Sequence, residues 1–129
     1  MCSISKPKIL IIEDHPATLD AIKMIFEFEG YSVMDLSSTV DLHAQVASFQ
    51  PDIILIDILL VINDGRSICT ELKLSVHADI PILLMSSRNG FHNSSYYKPH
   101  WDDYIEKPFE METITERVRI LLSKKTQQT

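Results

Sequence analysis

Glu13 and Asp14 close the apolar run Lys8-Ile-Leu-Ile-Ile-Glu13-Asp14, and Asp57 closes a second, Pro51-Asp-Ile-Ile-Leu-Ile-Asp57. A third run, Asp103-Tyr-Ile-Glu-Lys107-Pro108-Phe109, ends in a lysine followed by proline. Three acids brought together repel one another and raise at least one pKa. A divalent cation removes that cost, and Mg²⁺ suits hard oxygen ligands while keeping several waters. A carboxylate is also a competent nucleophile toward phosphorus, forming an acyl phosphate. The protein then supplies position and charge, with metal on one side and a cation such as Lys107 on the other. Ser86, which ends Pro81-Ile-Leu-Leu-Met-Ser86, adds a hydroxyl donor. A competing role for Glu13 and Asp14 is to solvate a strand end or cap the helix that starts at Pro16. Capping leaves Asp57 unexplained.

The elements that must position these groups alternate between two periodicities. Short β-branched runs at Lys8 to Glu13, Tyr31 to Leu36, Asp52 to Asp57, Pro81 to Ser86 and Asp103 to Glu106 read as strands buried on both faces. Helical spacing fills the gaps. Leu19, Ile22 and Phe26 mark a helix started by Pro16 and stopped by Gly30. Leu42, Val46 and Phe49 mark another, with Ser38 as candidate cap and Pro51 as stop. Ile68 and Leu72 follow a candidate cap at Asp64, and Ile114, Val118 and Leu121 mark the last helix, with Glu110 and Glu112 in its positive first turn. The fourth helical slot, from Arg88 to Trp101, carries Gly90, Pro99 and many turn formers, so a short or distorted helix is expected there.

Five strand–helix cycles predict a doubly wound five-stranded parallel sheet with right-handed crossovers and helices on both faces. Such sheets bind ligands outside the carboxyl ends of their strands. Glu13, Asp14, Asp57, Ser86 and Lys107 all fall at or just past such ends. A cis peptide before Pro108 would aim Lys107 inward.

With 129 residues and a net charge of −6, the chain is one domain's worth of sequence, ordered over about 7–124, with no electrostatic attraction to nucleic acid or an anionic membrane. Cys2 and Cys69 form no disulfide or metal framework, no signal peptide or membrane span stands out, and a cytoplasmic home is expected. The histidines His15, His43, His77, His92 and His100 show no paired ligand spacing and read as surface or capping residues. Phe91, Tyr96, Tyr97 and Trp101 crowd one polar segment, either as a partner surface or as packing on the core rim. The polar tail from Lys124 to Thr129 reads as a natural end or the start of a linker, and Met1 tips the expectation toward a stand-alone domain.

Glu13-Asp14, Asp57 followed by Asp64-Gly65, Ser86-Ser87 and Asp102-Asp103-Tyr104-Ile-Glu-Lys107-Pro108-Phe109, in this order and spacing, resemble the response-regulator receiver domain of bacterial two-component signalling along essentially the whole chain. The resemblance implies a flavodoxin-like strand order of 2-1-3-4-5. It implies that Asp57 accepts a phosphoryl group from a sensor histidine kinase or a histidine phosphotransfer protein. Mg²⁺ would be held by Asp14, Asp57 and the Leu59 carbonyl, with Glu13 acting through water. Lys107 would pair with the phosphoryl group or, before transfer, with Asp57, and Ser86 and Ser87 would bind phosphoryl oxygens. Ser86 and Tyr104 would form the switch. The fourth helical slot, fifth strand and last helix would make the readout face and a possible homodimer contact, for a downstream protein partner that the sequence does not name.

Leu60-Val61 stands where the family usually has Met-Pro, Ser86 replaces the commoner threonine, and His100-Trp101 replaces Gly-Ala. Leu59 and Arg88 hold the positions that tune hydrolysis. Two other functions compete: a receiver-like interaction module that is not phosphorylated, and an aspartyl-nucleophile phosphatase. The second commonly needs an acid two residues after the nucleophile, and Leu59 stands there. A turnover enzyme is therefore not expected.

Overall fold

The structure is a computed structural model and describes residues 6–36, 40–57, 65–87 and 101–127. In chain order the elements are β1 (Lys8–Ile12), α1 (Pro16–Phe28), β2 (Ser32–Leu36), α2 (Leu42–Phe49), β3 (Ile53–Asp57), α3 (Gly65–Lys73), β4 (Ile82–Ser87), β5 (Asp103–Lys107) and α4 (Met111–Gln127). All strand pairs are parallel, in the order β2-β1-β3-β4-β5. The order reverses between β1 and β3, which opens a crevice at their carboxyl ends.

Alternation along the central strands divides the core into two layers. Ile9, Ile11, Ile53, Leu55, Leu83 and Met85 face Ile22 and Phe26 of α1 and Ile114, Val118 and Leu121 of α4. Leu10, Ile12, Ile54, Ile56, Ile82 and Leu84 face Leu42 and Val46 of α2 and Ile68, Cys69 and Leu72 of α3. Helices therefore cover both faces. Burial on both faces explains why β1, β3 and β4 are continuous apolar runs.

The outer strands differ from the sequence expectation. β2 is only half-buried along its length, and in β5 only Ile105 is buried. Each lacks a neighbour on one side, so a helix layer cannot cover both of its faces fully. Val33 and Met34 still pack against the two core layers from the β2 edge.

Local signals set the helix ends. His15 is the N-cap of α1, its Nδ1 accepting from the Thr18 backbone N–H at 3.4 Å, so the cap position itself is held by neither Glu13 nor Asp14. Gly30 adopts a φ of 96°, and the bonds Gly30 N–H to Glu27 O (3.1 Å) and Tyr31 N–H to Phe26 O (2.9 Å) close a Schellman turn. The Phe26 and Tyr31 rings meet edge to face at 5.2 Å, supplying its hydrophobic contact. For α2 the N-cap is Asp41, in left-handed backbone and without a side-chain cap bond. Ser38, Asp64 and the fourth-slot residues 88–100 lie outside the described residues, whereas Trp101 packs against the α2–α3 layer.

Asp102 fastens β5 to the start of β4. Its Oδ2 accepts from the Ile82 backbone N–H at 2.7 Å and from Lys73 Nζ at 2.9 Å. Lys73 also donates to the carbonyls of Ala78 and Ile80, closing the turn after α3. Asp102→Ala should leave a buried N–H without its acceptor and cost about 1–3 kcal/mol in urea unfolding. An unchanged midpoint would show that another acceptor replaces the carboxylate.

Candidate functional site

Five of the residues singled out from sequence share the carboxyl edge of the sheet. Glu13 and Asp14 directly follow β1, Asp57 ends β3, Ser86 is penultimate in β4, and Lys107 ends β5. β4 and β5 pair in register at Ser87 and Lys107. The Lys107–Pro108 peptide is cis.

Glu13 (0% exposed), Asp57 (6%) and Ser86 (1%) are the buried polar side chains among the described residues. Lys107 Nζ lies 2.7 Å from Glu13 Oε1 and 3.3 Å from Asp57 Oδ2. Its tighter partner is thus Glu13, where Asp57 was the expected one. The lysine bridges both acids instead of serving the strand-three aspartate alone. The other Glu13 oxygen accepts from the His15 backbone N–H at 3.2 Å, and the Glu13 N–H extends the β1–β2 ladder to Leu36 O. Glu13 is therefore fixed from three directions.

Burial pushes the Glu13 carboxyl above the usual carboxylate range; the Lys107 hydrogen bond pulls it back, and the nearby Asp57 pushes it up again. The repulsion expected from sequence is present, but burial leads it. The folded chain then holds a proton on Glu13 more tightly than the unfolded chain does. Metal-free stability from this group is full below the ordinary value of 4.5 and is lost as pH rises through the raised one. Glu13→Gln should consequently gain stability relative to the parent as pH climbs through that window, read from urea midpoints in chelator. A gap that stays constant with pH would contradict the shift.

Ligand oxygens of Glu13, Asp14 and Asp57 all lie within 4.8 Å of one another. Three carboxylates face one ammonium, so the cluster carries surplus negative charge. All its donors are hard oxygens, the set Mg²⁺ prefers. The residues present therefore fit a divalent ion on charge, spacing and donor type.

Leu59 lies outside the described residues, as do Leu60, Val61 and Arg88. Tyr104 is 38% exposed on β5, and its backbone carbonyl accepts from Arg117 Nη1 of α4 at 2.7 Å. The same guanidinium pairs with Asp103 at 3.3 Å. Sequence reading missed Arg117, because a lone arginine on an exposed helical face carries no signal. An open groove of about 770 Å³ runs along this edge, lined by residues including Tyr104, Glu106, Phe109 and Arg117.

A family model described as the response regulator receiver domain matches residues 9–119. The chain belongs to that family. Response regulator receiver domains are signalling modules of two-component systems, and this one is 35% identical over 118 residues to the DNA-binding dual master transcriptional regulator RpaA of Synechocystis. That match covers 90% of this chain and 49% of RpaA. The receiver thus spans about half the length of the curated relatives it matches. The crystal structure of a CheY-like receiver domain protein from Methanospirillum hungatei superposes with a TM-score of 0.87 at 25% identity, over 97% of this chain and 100% of that one. The receiver domain of a Pseudomonas aeruginosa sensor histidine kinase (TM-score 0.81, 21% identity, 92% and 99% covered) was crystallised with a magnesium ion coordinated in its active-site cleft. Its fold is the same as that of the present receiver. Among the described residues no helix is long and apolar enough to cross a membrane.

Proposed function

We propose that this receiver takes a phosphoryl group from a phosphohistidine onto Asp57 and thereby switches a partner-binding face. The observation that carries the reading is Asp57 itself: a nearly buried carboxylate held between two further acids and a lysine 3.3 Å away. One Asp57 oxygen attacks phosphorus, an acyl phosphate bond forms, and the phosphorus–nitrogen bond breaks. The electron pair leaves with the imidazole of the donor. Lys107 neutralises charge on the transferred oxygens without having to move far, since it already bridges Asp57 and Glu13. Asp14, Asp57 and the Leu59 carbonyl would hold Mg²⁺, with Glu13 acting through water. When bound, the ion offsets negative charge on the phosphoryl group and the acids.

Ser86 and Ser87, beside Asp57 on the next strand, supply hydrogen-bond donors to the new oxygens. Formation of those bonds draws Ser86 toward the phosphoryl group, and Tyr104 follows it inward from its half-exposed position. Charge-assisted hydrogen bonds of this kind bias a two-state element. The donor is a sensor histidine kinase or a histidine phosphotransfer protein, in the cytoplasm, and the receiver accepts the group on itself without acting as a turnover enzyme. The test is a beryllofluoride titration with Mg²⁺ followed by amide NMR. Shifts at Asp57, Ser86, Lys107 and Tyr104 that require both reagents support the reading. A spectrum unmoved by the pair, or moved only far from the sheet edge, rejects it.

A further inference from the structure

Lys107 reaches the acids from the end of β5 on a flexible four-carbon stem, and such a stem does not fix its own ammonium. Glu13 fixes it. Lys107 Nζ donates to Glu13 Oε1 at 2.7 Å, the length of a charge-assisted bond, whereas Asp57 Oδ2 stands at 3.3 Å. Glu13 is the firmer anchor because it is itself pinned. It is fully buried, its Oε2 accepts from the His15 backbone N–H at 3.2 Å, and its own backbone N–H donates to Leu36 O at 3.3 Å. Each carboxylate oxygen of Glu13 therefore holds a protein donor, one from the turn after β1 and one from β5. A carboxylate reserved for a divalent ion needs neither contact.

The two contacts of the lysine respond differently to phosphoryl transfer. Asp57 gives up its carboxylate charge when one of its oxygens bonds to phosphorus, so its hold on the ammonium falls. Glu13 takes no part in that bond and keeps its charge. We infer that Glu13 is the positioning residue of Lys107: it tethers the ammonium beside Asp57 before and after transfer, in addition to any part it plays toward Mg²⁺. The inference rests on Asp57 as the phosphoacceptor. A charged group fixed ahead of the reaction meets developing charge without reorganising, and a small misplacement of it is costly.

Two measurements test the tether. The first reads hydrogen-bond couplings from Lys107 Nζ to side-chain carboxyl carbons in the ¹⁵N,¹³C-labelled chain. The coupling to Glu13 should be present in chelator and persist when Mg²⁺ and beryllofluoride are added together. A Lys107 coupling to Asp57 alone in chelator, or loss of the Glu13 coupling in the loaded chain, overturns the tether. The second is the rate of phosphoryl uptake from acetyl phosphate at saturating Mg²⁺, which takes metal affinity out of the comparison. The parent, Glu13→Gln, Lys107→Ala and the double variant are compared. Glu13→Gln alone should slow uptake about 10-fold or more. In the Lys107→Ala background the same substitution should change the rate by less than about 2-fold, because the lysine it positions is gone. Losses that multiply show that Glu13 acts without Lys107 and overturn the role. Full recovery of the parental rate by Glu13→Gln at high Mg²⁺ assigns Glu13 to the metal alone and also overturns it. A parent that takes up no phosphoryl group at any Mg²⁺ concentration rejects Asp57 as acceptor, while the couplings still decide whether Glu13 holds the lysine.

Discussion

Replacing Asp57 with asparagine is expected to abolish phosphoryl uptake completely while leaving the domain folded. The asparagine keeps the shape and one carbonyl oxygen beside Lys107, but it cannot form an acyl phosphate. Its effect on stability is a balance. Asp57 faces Glu13 and Asp14 with oxygens within 4.8 Å, and each such pair is worth about 3–4 kcal/mol of repulsion at an effective dielectric of about 20. The contact to Lys107 at 3.3 Å is worth about 5 kcal/mol of attraction on the same scale. The two repulsions together exceed the attraction by about 1–3 kcal/mol on this scale, and relief from burying a charge also favours asparagine. Unfolding free energy should stay within about 1 kcal/mol of the parent or rise. Amide NMR and urea melts check the fold, and phosphoprotein analysis checks the chemistry. A variant that still takes up a phosphoryl group would place the acceptor elsewhere.

Lys107→Ala should be the most destabilising single change at the site. Glu13 is fully buried, and its shortest charge contact is the 2.7 Å bond to Lys107. Removing one partner of a buried pair costs about 3–5 kcal/mol, because the other charge stays behind. The low end, near 3 kcal/mol, is expected here because Glu13, already pushed toward its protonated form by burial, can take up a proton. In a Glu13→Gln background the same substitution should cost less, since only Asp57 is then left behind without the lysine. Urea unfolding of the four proteins of this cycle, in chelator at neutral pH, measures the coupling. Equal losses in both backgrounds would show that Lys107 is not coupled to Glu13. Phosphoryl uptake should fall about 100-fold or more with the lysine gone, as when an oxyanion donor is lost.

Much of this arrangement was legible in the residues. Ile9–Ile12, Ile53–Ile56 and Ile82–Met85 announce central strands because both faces are covered, and their shortness and Ile-rich, β-branched content separate them from a buried helix. The acids and the lysine then fall on one sheet edge by counting alone. The outer strands were less legible, since an edge position depends on the strand order and not on the run itself. The preference of Lys107 for Glu13 over Asp57 was not legible at all. It is a contact across 94 residues, decided by a few tenths of an ångström at the meeting of β1, β3 and β5. The contact of His43 with His77 was hidden for a related reason: α2 and the turn after α3 come together by packing through Leu42, Cys69 and Leu72. The expectations for Leu59 and for 88–100 concern residues outside those described.

The central claim is that Asp57 is the phosphoacceptor. Incubation with Mg²⁺ and acetyl phosphate, followed by borohydride reduction and peptide mapping, tests it at the level of a single side chain. An acyl phosphate on an aspartate is reduced to homoserine, and that product is expected at position 57 and at no other acid. Homoserine at Asp14, the reduced five-carbon alcohol at Glu13, or an unreduced Asp57 in a chain that has taken up phosphate, would contradict it.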